Sequence, residues 1–179
     1  MGRMTELRLT HTADLDAASR HAARALLYQV FENFTEDDWD HAQGGLHVLV
    51  WDGDALIGHA SVVQRRLGYA GRALRTGYVE GVVVRADRRG RGHGAAMMAA
   101  VERVIRGGYE LGGLSATEAA IGFYAARGWR LWRGPSSVLT PAGLVRTEAD
   151  DGSIFVLPVS AALDPSGPIV ADWRDGDAW

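Results

Sequence analysis

The stretch Val82-Val83-Val84-Arg85-Ala86-Asp87-Arg88-Arg89-Gly90-Arg91-Gly92-His93-Gly94-Ala95 passes from an apolar run through an arginine- and glycine-rich turn into an alanine- and methionine-rich segment. Strand, tight turn and helix in that order place the free N–H groups of a helix's first turn beside glycines that let an anion come close. The macrodipole adds partial positive charge and the arginines add full charges. The segment is therefore a candidate pyrophosphate cradle, against the alternative of a solvated loop that only connects two elements. A sharper rival is the dinucleotide fingerprint, because Gly90-x-Gly92-x-x-Ala95 has its spacing and Glu110 follows twenty residues after Gly90. Hairpin-like strands precede the turn, however, and too little chain follows it for the repeated βα units of such a fold. A Walker-type site is excluded, since the chain contains no lysine.

With 179 residues, 47% of them hydrophobic and 23% charged, one globular domain spanning 1–179 is expected. The absence of cysteine excludes disulfides, thiolate metal sites and cysteine nucleophiles. The polar start Met1-Gly2-Arg3-Met4-Thr5-Glu6 lacks the apolar region of a signal peptide and no run reaches membrane-spanning length, so a cytoplasmic protein without a membrane partner is expected. His11, His21, His41, His47, His59 and His93 show no metal-ligand spacing, and no metal is expected; His59, on a strand, reads as a core or face residue rather than a base. The net charge of −3 hides an uneven layout. Residues 32–40 carry Glu32, Glu36, Asp37, Asp38 and Asp40, and 148–179 carry seven acids against Arg174 alone, whereas arginines gather at the glycine turn. One region suits an anion and others a cation, the opposite of the broad basic face of a nucleic-acid binder.

Alternation over Glu6–Thr10 predicts a strand, and Thr12 or Asp14 is placed to cap a helix with apolar positions from Leu15 to Val30. Leu46–Trp51 and Leu56–Val63 read as strands joined by a hairpin at Asp52-Gly53-Asp54, with a third antiparallel strand over Gly77–Val84. A helix over Ala95–Ile105, a buried strand over Glu110–Ser115, a helix over Thr117–Arg127 closed by Gly128, and strands at Trp129–Trp132, Val138–Leu139 and Ser153–Leu157 complete a mixed α+β sheet.

This order, with Arg89-x-x-Gly92-x-Gly94 and Phe123-Tyr124-x-x-x-Gly128-Trp129, resembles the GCN5-related N-acetyltransferase (GNAT) superfamily over most of the chain. The resemblance implies an α+β fold whose mixed, mostly antiparallel sheet is flanked by helices and binds acetyl-CoA at a splayed strand pair. Val82, Val83 and Val84 would pair with the extended pantetheine, and Arg89, Gly90, Arg91, Gly92, His93, Gly94 and Ala95 would hold the diphosphate. An N–H near Val82 would polarise the thioester carbonyl, provided that Glu80-Gly81 forms a bulge that splays the strand. Glu80, in an otherwise apolar stretch, is the candidate base, directly or through water, against a solvent-facing strand residue. Tyr124 is the candidate acid for the departing thiolate, against a packing aromatic.

The phrases Leu9-Thr10-His11-Thr12-Ala13-Asp14-Leu15-Asp16, Phe34-Thr35-Glu36-Asp37-Asp38-Trp39, Gln64-Arg65-Arg66-Leu67, Gly77-Tyr78-Val79-Glu80-Gly81-Val82 and Asp172-Trp173-Arg174 to Trp179 resemble the mycobacterial aminoglycoside 2′-N-acetyltransferases nearly end to end. That resemblance implies a homodimer that modifies a cationic amino sugar, gripped by Asp38, Glu80, Gly81, Ser115, Asp150, Asp177 and Trp179. Asn33 stands where some relatives carry Asp, which keeps an acceptor and removes a charge. Acetylation of another amine, such as a polyamine, a cell-wall precursor or a protein α-amine, and a non-catalytic acyl-CoA-binding module remain as alternatives.

Overall fold

The structure is a computed structural model that describes residues 4–179. The chain divides into two compact units, one comprising residues up to Val63 with Val79–Val104, the other Gln64–Tyr78 with Ile105–Trp179. Neither is contiguous, because two long strands and one helix contribute to both.

In the first unit, β1 (Thr5–His11) pairs antiparallel with β2 (Leu46–Asp52), and β2 pairs with β3 (Ala55–Tyr69) across a hairpin turn in which Gly53 takes φ +60°. The helix after β1 is capped by neither Thr12 nor Asp14, which form a short 3-10 turn. Asp16 caps it instead, its carboxylate accepting from the Ser19 N–H at 2.7 Å, so that α1 runs over Ala17–Val30. A second helix, α2 (Glu36–His41), is held by a reciprocal cap between Thr35 and Asp38; read as an acidic run, it hid a capping-box signature. Leu15, Leu26 and Leu27 pack with Leu49, Leu56 and Val83 as the core of this unit, bordered by Phe31, Phe34, Trp39 and Trp51.

β3 continues past Val63 and turns at Ala70-Gly71, both with positive φ, into β4 (Arg72–Val84). β4 therefore starts before the predicted Gly77, because Leu74 and Thr76 are buried around an exposed Arg75. β4 leads to α3 (His93–Gly108), which begins at His93 rather than Ala95 and packs on β3 so closely that a Cβ at Gly58 would stand 3.0 Å from the Met97 sulfur.

The second unit adds β5 (Leu111–Ser115), α4 (Ile121–Ala126), β6 (Arg130–Leu131), β7 (Ser136–Thr140), β8 (Gly143–Arg146), β9 (Ile154–Pro158) and β10 (Ile169–Ala171). Its strands lie in the order β6-β9-β5-β4-β3-β10-β7-β8, parallel at β4–β5 and β10–β7 and antiparallel at the other registered pairs. The predicted helix over Thr117–Arg127 divides into a 3-10 turn at Glu118–Ala120 and the short α4. The predicted strand over Trp129–Trp132 shrinks to β6, with both tryptophans buried. Trp129 packs so tightly on β5 that a Cβ at Gly112 would come within 2.8 Å of it. The turn at Pro141-Ala142 joins two strands where one was foreseen, and β10 carried no strong sequence signal. Among the described residues no helix is long and apolar enough to cross a membrane.

Candidate active site

Gly90 and Gly92 take φ of +73° and +82°, and a Cβ at either would meet nothing within 4 Å. Backbone conformation, not crowding, demands glycine there, and the open space is where a ligand would approach the first turn of α3. The four arginines differ in availability. Arg85 is bound by Asp87, with Nε 2.6 Å from Oδ1, and Arg88 by Asp52, with Nη2 2.7 Å from Oδ2. Arg89 is exposed and donates Nε–H to the Val84 carbonyl at 3.1 Å, and Arg91 is exposed as well. No carboxylate pairs with Arg89 or Arg91 among the ion pairs of the described residues, so these two carry the charge on offer to an anion.

Upstream, β4 bends at Gly81, whose φ of +57° supports the expected irregularity. A Cβ there would stand 3.2 Å from the His59 ring and from Leu27, so close packing adds to the backbone demand for glycine. Glu80, Gly81, Val82 and Val84 are half-buried and Val83 is buried. The Glu80 carbonyl accepts from Ser61 Oγ at 3.4 Å. The Gly81 carbonyl accepts from His59 Nδ1 at 2.7 Å, and His59 Nε2 lies 2.9 Å from Nδ1 of His47. His47 Nε2 in turn lies 2.8 Å from Thr12 Oγ1. Burial pushes the imidazoles down, His47 to about 3 and His59 to about 4, so both are neutral at physiological pH. His59 is buried as expected, but its attachment to the cradle strand was not foreseen; the available signal was a diagonal pair on adjacent hairpin strands, with His47 opposite Ser61 and His59 opposite Leu49. Asp38, also of this unit, uses Oδ2 to accept from both the Thr35 N–H and its hydroxyl, so its helix-capping role is on view.

In the second unit, Ser115 Oγ lies 3.2 Å from Ser153 Oγ, which donates to the Asp150 carbonyl at 2.7 Å. Burial first, then Asp177 and Asp151, hold the Asp150 carboxyl above the usual carboxylate range. Asp151 is already matched by Arg146, so Asp150 and Asp177 form the pair that a cation would relieve. Trp179 is buried and donates Nε1–H to Thr147 Oγ1 at 3.0 Å, so the last residue is an ordered part of this unit. The structure thus groups Ser115, Asp150, Asp177 and Trp179. Tyr124 is buried among Phe123, Trp129 and Phe155, and burial pushes its phenol up to about 12.

A glycine-bent strand running into an arginine- and glycine-lined helix start, on a mixed α+β scaffold, is suited to hold a diphosphate at the first turn of α3. The chain belongs to the acetyltransferase (GNAT) domain family, whose sequence pattern matches residues 6–132. It is 52% identical over 183 residues to an aminoglycoside 2′-N-acetyltransferase of Mycolicibacterium fortuitum, covering 99% of this chain and 94% of that protein. Among solved structures, a GNAT family N-acetyltransferase of Escherichia coli in complex with CoA superposes with a TM-score of 0.64 at 16% identity, covering 96% of this chain and 91% of that one. An acyl-CoA N-acyltransferase of Pseudomonas aeruginosa gives a TM-score of 0.62 at 16% identity over 86% of this chain and 99% of that one. These two likenesses speak for the fold.

Proposed function

We propose that this protein transfers the acetyl group of acetyl-CoA to the 2′-amino group of aminoglycosides by direct attack in a ternary complex, and so confers resistance. The observation that carries the transfer chemistry is the continuity of β4: Glu80, the bend at Gly81, Val82–Val84 and the cradle follow one another along one segment. Arg89, Arg91 and the N–H groups of the Gly90–Ala95 turn fit a diphosphate, and acetyl-CoA brings the activated thioester. Val82 N–H stabilises the oxygen that gains charge as the amine attacks, Glu80 takes the amine's proton directly or through water, and Tyr124 supplies a proton to the thiolate. Asp150, Asp177, Ser115 and the C-terminal residue bind ammonium and hydroxyl groups of the acceptor, with Asp38 as a further acidic contact. The chain has no cysteine to carry an acyl group, in keeping with direct transfer.

The deciding experiment incubates the enzyme with acetyl-CoA and paired aminoglycosides that carry either an amine or a hydroxyl at 2′. One acetyl at the 2′ nitrogen, located by tandem mass spectrometry, is expected for the first and little or no N-acetylation for the second. Comparable acetylation of both sugars would displace the 2′ assignment, and thiol release only with another amine would name a different acceptor. The proposed assembly is a homodimer, to be measured by sedimentation.

A further inference from the structure

β4 takes φ +57° at Gly81, and the carbonyl of this half-buried residue would be costly to leave without a partner. His59 satisfies it, and because a carbonyl only accepts, Nδ1 of His59 must carry the proton. A neutral ring protonated on Nδ1 has an accepting Nε2, so the 2.9 Å contact requires His47 to donate from its own Nδ1. His47 Nε2 then accepts from the Thr12 hydroxyl at 2.8 Å, a shorter contact than the 3.3 Å from that hydroxyl to the Gly45 carbonyl. Thr12 Oγ1 meanwhile accepts from the Gly44 N–H at 3.0 Å. Every bond runs the same way, from Gly44 through Thr12, His47 and His59 to Gly81. Both rings are fully buried, and the neighbouring His59 ring and the Arg20 guanidinium further disfavour a proton on His47.

The terminal acceptor shares its peptide group with the N–H of Val82. An amide whose oxygen accepts a strong hydrogen bond shifts toward its charge-separated resonance form, so its N–H becomes a better donor. We infer that Thr12, His47 and His59 are positioning residues that, through a one-way relay of neutral Nδ1–H imidazoles, fix and polarise the Gly81–Val82 peptide as the oxyanion donor for acetyl transfer. This rests on the proposed placement of the thioester carbonyl at Val82. It explains why Thr12 caps no helix: its hydroxyl starts the relay.

Side-chain nitrogen NMR on the nitrogen-15-labelled wild-type enzyme at neutral pH reads the tautomers directly. Protons on Nδ1 of both His47 and His59 are expected, and an Nε2–H or doubly protonated His59 would overturn the relay. In kinetics, His59→Leu is expected to lower kcat about 10- to 100-fold while KM for acetyl-CoA and Kd for CoA stay within about twofold. His59→Gln, whose side-chain N–H can serve the same carbonyl, should recover much of that loss. Wild-type kcat in folded His59→Leu would overturn the positioning role. Should that variant not fold, His47→Leu leaves His59 on Gly81 but removes its donor, and a fall in kcat of about two- to fivefold is expected; an unchanged kcat there also overturns it. Failure of the proposed activity reads differently, as wild-type protein that releases no thiol with any aminoglycoside while the tautomers remain as assigned.

Discussion

Arg65 holds Asp172 through two contacts: Nε donates to Oδ1 at 2.8 Å and Nη2 donates to the backbone oxygen at 3.0 Å. The second carboxylate oxygen accepts from the Arg66 N–H at 3.0 Å. Arg65 is buried, and its guanidinium also lies 4.6 Å from the Tyr78 ring centroid, so β3 anchors the segment that leads to Asp177 and Trp179. Asp172→Ala should therefore loosen the tail, raising KM for the aminoglycoside about tenfold and lowering Tm, with CoA affinity preserved. Steady-state kinetics beside CoA calorimetry check this, and an unchanged acceptor KM would show that the tail holds without its anchor.

Asp150 offers a test of opposite sign in stability and binding. Its folded carboxyl titrates above the usual range because of burial and its acidic neighbours, so the folded state holds this proton more tightly than the unfolded chain. The stability linked to it is fully present below the unfolded value and is lost as pH rises through the raised one. Asp150→Asn is thus expected to raise Tm at pH 7, with the gain disappearing in acid, while KM for a polycationic acceptor rises. Differential scanning fluorimetry across pH and steady-state kinetics read both, and a lower Tm at pH 7 would reverse the reading.

The cradle and the strand before it were legible because chemistry and local conformation coincide there: glycines, arginines and an apolar run occupy consecutive positions. The irregular backbone at Gly81 was legible for the same reason, a conformational demand written in one residue. The His47–His59 relay was not, because it joins residues from separate strands and depends on which atom of a neutral ring faces which carbonyl. Nor was the pairing of Arg85 and Arg88 with Asp87 and Asp52, since Asp52 reads locally as part of a hairpin turn. α2 and β10 were missed for a third reason: a six-residue helix and a three-residue strand carry too little periodicity to stand out.

At the cradle, Arg89→Ala with Gly92→Val removes one charge and forces a β-branched residue into φ +82°. Because Gly92 is exposed with open space around it, folding should suffer less than binding. CoA affinity is expected to fall about 100-fold, measured by calorimetry; an unaltered Kd would place the diphosphate elsewhere.

Glu80→Gln keeps the size of the side chain and removes the base. If the carboxylate takes the amine's proton, kcat falls about 10²–10⁴-fold at neutral pH, and the deficit narrows as pH rises and more acceptor arrives as free amine. The pH–rate profile decides: a deficit that is constant with pH would recast Glu80 as a binding group.

Tyr124 combines a chemical and a thermodynamic signature. With its phenol raised to about 12 by burial, it stays protonated throughout the enzyme's working range and can give a proton to a departing thiolate. Tyr124→Phe should lower kcat at least about tenfold with little change in KM for either substrate. The linked stability follows from the same burial. An unfolded tyrosine ionises near pH 10, so the stabilising contribution of a neutral buried phenol is fully present below about 10 and is lost between about 10 and about 12. Alkaline titration of stability should accordingly be shallower in Tyr124→Phe than in wild type over that window. Equal kcat in the two proteins would leave Tyr124 a packing aromatic, while a shallower titration would still report its burial.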